Sequence, residues 1–123
     1  MIRWLYLFKY PDGVPKETGE RWYLGTHSQE AKRMADHGMT GYRTWKGLRA
    51  PYAEPYRTVP QLNEWDRVTE LVFPDFEAFR EATTAHAVRY TPPPYSGGGF
   101  IAHTIFIPEE PEYDFLRDVP DIR

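Results

Sequence analysis

Four histidines, nine tyrosines and no cysteine decide what chemistry this 123-residue chain can perform. Without a thiol there is no disulfide, no cysteine nucleophile and no thiolate metal site, which removes several reaction classes outright. The stretch Trp22-Tyr23-Leu24-Gly25-Thr26-His27 puts one imidazole on the inner stripe of a helix. Tyr23, His27, Ala31 and Met34 fall three or four apart, whereas Glu20, Arg21, Gln29, Glu30, Lys32 and Arg33 fall mostly elsewhere. His27 therefore points where a core residue should. It is either a buried ring satisfied by one hydrogen bond or a proton-transfer group on a cavity wall, and periodicity alone favours the first.

Three other histidines compete for the role. His86 falls on a second helical stripe with Phe76, Phe79, Thr83 and Tyr90, and His103 lies in a strand pattern with Ile101, Ile105 and Ile107. His37 precedes Gly38 and is explained as a favourable cation at a helix C-terminus. If both helices pack on one sheet face, His27 and His86 converge over Trp4, Tyr6 and Phe8, giving a flat-walled apolar pocket with two imidazoles. Phe79, Tyr90 and His103 complete its expected wall. A group with a reference pKa of ~6.5 can remove and return a proton near neutrality. Tyr23 or Tyr6 is placed to hydrogen-bond a developing enolate oxygen. Asp66 and Glu70 read as turn and surface residues. The histidines and Glu70 contain no closely spaced ligand pair, so neither a metal nor an organic cofactor is expected.

The elements that must position these residues follow from pattern. Ile2 to Tyr10 alternates as a strand whose even positions Trp4, Tyr6, Phe8 and Tyr10 are all aromatic, while Leu5 and Leu7 make its other face apolar too. Pro11-Asp12-Gly13 is a turn. Lys16 to about Asp36 is helical, closed by Gly38, with Gly25 weakening it by ~1 kcal/mol relative to Ala. Tyr42–Leu48 and Arg67–Phe73 are strands, separated by the proline- and aromatic-rich segment 50–65. Asp75 caps a second helix that is expected to run through Tyr90. Thr91–Gly99 is irregular; since no helix follows its triple glycine, it is not a phosphate cradle. Phe100–Ile107 is the fourth strand, and residues 108–123 form an acidic C-terminal arm.

The resulting order is βαββαβ: an α+β, ferredoxin-like domain over 1–107, with a four-stranded antiparallel sheet and both helices on one face. The second apolar face of the first strand then needs a cover, most economically the same face of a second copy, so a homodimer is expected. A net charge of -3 with no Lys/Arg block argues against nucleic acid as a partner. No run approaches the ~20 apolar residues of a membrane span, and a cytoplasmic protein is expected.

Three segments carry a family resemblance: the opening strand Met1–Lys9, the Trp22 to His27 helix, and the run Trp65-Asp66-Arg67-Val68-Thr69-Glu70-Leu71-Val72-Phe73-Pro74-Asp75-Phe76-Glu77-Ala78-Phe79-Arg80. Together they resemble an EthD-like protein of the dimeric α+β barrel superfamily. That superfamily includes cofactor-free polyketide cyclases, muconolactone-type isomerases and quinol-oxidising monooxygenases. The resemblance carries its helix histidine onto His27. Many members place a proline two positions later, where this chain has Gln29. It implies a cofactor-independent lyase or isomerase of a small aromatic or polyketide-like compound, with His27 as general base and His86 or Tyr23 assisting. The alternatives are a cofactor-free monooxygenase of a phenol and a non-catalytic binding protein for an aromatic ligand.

Overall fold

The computed structural model describes residues 1–51 and 63–122. The chain begins with β1 (Ile2–Lys9) and a helical rod made of α1 (Lys16–Trp22), a π turn (Tyr23–His27), α2 (Ser28–Ala31) and a 3₁₀ turn (Lys32–His37). Then come β2 (Gly41–Lys46), β3 (Arg67–Phe73), a second helix made of α3 (Phe76–Arg80) and a π turn (Glu81–Ala85), and β4 (Ile101–Pro108). The strands pair antiparallel in the order β2-β3-β1-β4. This is the expected ferredoxin-like sheet, with both helices against one face. Among the described residues no helix is long and apolar enough to cross a membrane.

Register decides what each face carries. Trp4, Tyr6 and Phe8 lie opposite Leu71, Thr69 and Arg67 on β3 and opposite Phe106, Thr104 and Ala102 on β4. Because side chains alternate across a strand, this aromatic side looks at the helices. It buries Tyr6, Phe8, Leu71 and Phe73 against Tyr23, Ala31, Met34 and Ala82. Phe8 is 0% exposed, with ring centroids 4.6 Å from Tyr23 and 4.7 Å from Phe100. Burial of such a ring stabilises by ~1.5–3 kcal/mol, and each well-set aromatic pair adds ~0.5–1.5 kcal/mol. The opposite face stays open: Ile105 is 58% exposed, and Leu7 and Trp45 are exposed beside it. At its centre Glu70, expected as a surface residue, is only 3% exposed because Arg3 and Arg43 close over it at 2.8 and 2.9 Å.

Three expectations need correction. The first helix is not one regular rod, since its hydrogen bonding widens at Tyr23–His27 and tightens at Lys32–His37. The second helix stops at Ala85 instead of reaching Tyr90; His86 already has φ -123° and ψ 46°. Its last turn holds the β-branched pair Thr83-Thr84, and Thr83 Oγ1 donates back to the Phe79 carbonyl at 2.7 Å, a bond that competes with a regular ladder. β2 ends at Lys46 rather than Leu48. The caps were legible: Asp75 accepts from the Ala78 amide at 2.8 Å, and Gly38 takes φ +110°. Most of the segment expected as a loop at 50–65 lies outside the described residues.

The two glycines of the first rod give opposite predictions. A Cβ on Gly19 would stand 2.4 Å from the Tyr10 ring, whereas one on Gly25 would meet nothing within 4 Å. Gly25→Ala is expected to raise stability by ~0.5–1 kcal/mol, and Gly19→Ala to lower it by ~1–3 kcal/mol, in urea unfolding followed by circular dichroism. Equal responses would contradict the packing of Tyr10 on α1.

Candidate functional site

The site begins with the widened turn. At Tyr23–His27 the Ser28 amide reaches back to the Tyr23 carbonyl, five residues away, and the Gln29 side-chain amide donates to the Leu24 carbonyl at 3.1 Å. A single π turn of this kind repositions side chains without ending a helix. Gln29 thus stitches the turn. His27 keeps its place on the stripe, its ring stacked on Tyr23 with centroids 5.6 Å apart.

Residues 91–99 strap the other side. Trp22 Nε1 donates to the Thr91 carbonyl at 3.1 Å, and the Thr91 amide and hydroxyl donate to the Glu30 carboxylate at 2.9 and 2.8 Å. Gly97, Gly98 and Gly99 all have positive φ, and a Cβ on Gly99 would stand 2.6 Å from the Trp22 ring. The triple glycine therefore lets the chain pass over an indole. Tied down at both ends, the strap sets Tyr90 parallel to His27 at 4.5 Å and Phe100 edge-on to it at 5.5 Å.

Between this assembly and the sheet lies a cavity of about 200 Å³. Trp4, Tyr6 and Leu71 make its floor, His27, Ala31 and Met34 its roof, and Tyr42, Tyr90, Phe100, Ala102 and Thr104 its sides. Thr104 and Tyr90 are the exposed members and mark its mouth. Among the described residues no Lys, Arg, Asp or Glu lines it. His27 Nδ1 is enclosed without a hydrogen-bond partner, as are Tyr42 Oη and Ser28 Oγ. Nε2 is therefore the nitrogen a guest can reach. Burial lowers the His27 pKa, partly opposed by the nearby Glu30 charge, so the ring is neutral at neutral pH.

Tyr23 cannot play the assisting role expected of it. Thr44 donates its proton to the Val68 carbonyl, so Thr69 must donate to Thr44 at 2.9 Å. Tyr23 must then donate to Thr69 at 2.6 Å, and Tyr6 to Tyr23 at 3.3 Å. Every proton in this buried chain is committed. Tyr42 Oη is enclosed beside Ser28 and Tyr23, and burial raises its pKa well above the ordinary phenol value, partly opposed by the Ser28 hydroxyl. Sequence pattern missed it because its inward direction depends on the register Tyr42↔Leu71.

The other expected site residues divide. Trp4, Tyr6 and Tyr90 reach the cavity beside His27. His86 does not: once the second helix ends early, its ring stacks flat on His37 at 3.9 Å and its Nε2 lies 3.4 Å from Glu81. His103 is on the open sheet face, opposite Leu7 and edge-on to Trp65 at 5.1 Å. Phe8 is packed solid beneath Tyr23, and Phe79 is wedged among Trp4, Phe73 and Phe106. Neither Phe touches the hollow.

A crystal structure of the Arabidopsis thaliana protein At3g17210 matches with a TM-score of 0.55 at 12% identity, covering 92% of this chain and 99% of that one. At that identity the likeness carries the fold alone. No family model matches the chain, and no curated protein matches it in sequence.

The buried imidazole makes stability depend on pH. Its folded pKa is lowered below the ~6.5 of the unfolded chain, so as pH falls through ~6.5 the unfolded state takes up a proton that the folded state refuses. The stabilisation is complete above ~6.5 and is lost as pH drops toward the folded value. His27→Phe is expected to unfold with a smaller loss than the parent between pH 7.5 and pH 5. A difference between the two proteins that does not change with pH would contradict the burial of His27.

Proposed function

We propose that the chain is a cofactor-independent lyase or isomerase acting on a small aromatic or polyketide-like compound, with His27 as general base. The observation that carries this is an imidazole with no hydrogen-bond partner on the wall of a largely apolar, uncharged hollow. A neutral Nε2 accepts a proton from a carbon acid or hydroxyl and returns it to another atom of the same guest, the exchange required for isomerisation, cyclisation, dehydration or retro-aldol cleavage. We place the chain with EthD-like dimeric α+β barrels, the open sheet face covered by that of a second copy. The arm after residue 108, whose Leu116 is 98% exposed, makes a further contact with that copy.

One feature favours a second reading. A catalytic imidazole ordinarily donates its other N–H to a carboxylate or carbonyl, and His27 Nδ1 has neither. That suits a non-catalytic binding protein whose affinity comes from the aromatic wall. The two readings separate in D2O: wild type is expected to wash deuterium into enolisable cyclic ketones and phenols, read by NMR. His27→Ala is expected to slow exchange ~10²- to 10⁴-fold with affinity kept within a few-fold, and His86→Ala to leave it unchanged. Undiminished exchange in His27→Ala defeats the enzymatic reading. Binding that collapses in Trp4→Ala, with no exchange by wild type, supports the carrier.

A further inference from the structure

The cavity's size and its uncharged wall say what form a guest must take. An apolar cavity of roughly 150 Å³ is filled by one benzene molecule, so about 200 Å³ holds one ring with a substituent rather than a fused system. Its polar atoms all belong to neutral groups: His27, Tyr6, Tyr42, Tyr90 and Thr104. Glu30, the carboxylate whose charge acts on His27, is not part of the lining and is already occupied by two bonds from Thr91. The buried guanidinium of Arg67 is spent on Glu20 at 2.7 Å. A guest ion of either sign would lose its hydration and find no counter-charge, which costs several kcal/mol.

We infer that the cavity selects a single uncharged ring carrying a hydroxyl or carbonyl, and rejects the carboxylate and ammonium forms of the same skeleton. The titration of the wall agrees. Burial moves His27 down and Tyr6, Tyr42 and Tyr90 up, so all four favour their neutral forms, and the space penalises positive and negative charge alike. The inference rests on the site proposed above and narrows its substrate class. It holds whether the guest is turned over or only bound.

Three probes of one skeleton test it: 4-methylbenzyl alcohol, 4-methylbenzoate and 4-methylbenzylammonium, titrated into the whole protein by calorimetry at pH 7.5. The alcohol is expected to bind at least tenfold more tightly than either ion. Thr104→Lys, at the exposed mouth, is expected to bring the carboxylate to within about threefold of the alcohol while leaving the ammonium excluded. Equal binding of an ion and the alcohol by wild type overturns the inference, as does binding of none of the three. A Thr104→Lys protein that takes the carboxylate no better also overturns it, because rejection would then arise elsewhere. None of these probes needs to react, so a failed exchange experiment with selective binding removes the enzymatic reading and leaves this one standing.

Discussion

The constraint behind the whole arrangement is that the all-aromatic face of β1 must be covered by a single layer of helices. Rings are large and stiff, and they fill space only where other rings interdigitate with them. At the Phe8 end, Tyr23, Trp22 and Phe100 supply those rings; at the Trp4 end, Phe79 and Phe106 do, with Phe73 behind. Between the two stacks the rod offers Ala31 and Met34, and β4 offers Ala102 and Thr104. None of these is a ring, and a gap remains opposite Tyr6 and Leu71. The hollow is what remains between two well-packed clusters, and it coincides with the place where the π turn holds His27.

Its electrostatics follow from the same packing. A buried hydroxyl needs a partner, and the threonine-tyrosine chain from Val68 to Tyr6 satisfies its members one after another. That leaves Tyr6 as an acceptor with no proton to give and turns attention to Tyr42 and His27, whose enclosed atoms are unsatisfied. Natural proteins keep few such groups. Nδ1 and Oη are sealed behind the cavity wall, so Nε2 is the edge of the imidazole left for a guest. The strap reinforces this, since its bonds to Trp22 and Glu30 fix Tyr90 over the imidazole.

Much of this was legible in the residues. Period-two alternation in β1, the exact span Arg67–Phe73, the Asp75 cap and the Gly38 terminus are local signals, and the fold follows from their order. The stripe that carried His27 inward held because Tyr23, Ala31 and Met34 bury beside it. What failed rested on the length of the second helix and on the facing of β4. Extending the second helix five residues too far sent His86 and Tyr90 to one stripe, when Tyr90 reaches the cavity only through the extended segment that leads into the strap. His103, expected on the cavity wall, lies on the open face instead because it pairs with Leu7. Tyr42 and Phe100 were overlooked as site residues because only tertiary register and the passage of the triple glycine over Trp22 bring them there.

The central claim is physical: an apolar space, large enough for one ring, exists against His27. Xenon enters such spaces and leaves filled cores alone. A crystal pressurised with xenon is predicted to show an ordered atom among Tyr6, Met34, Leu71 and the His27 ring, displaced when 4-methylbenzyl alcohol is soaked in. No xenon there, with side chains closed over the site, would contradict the account.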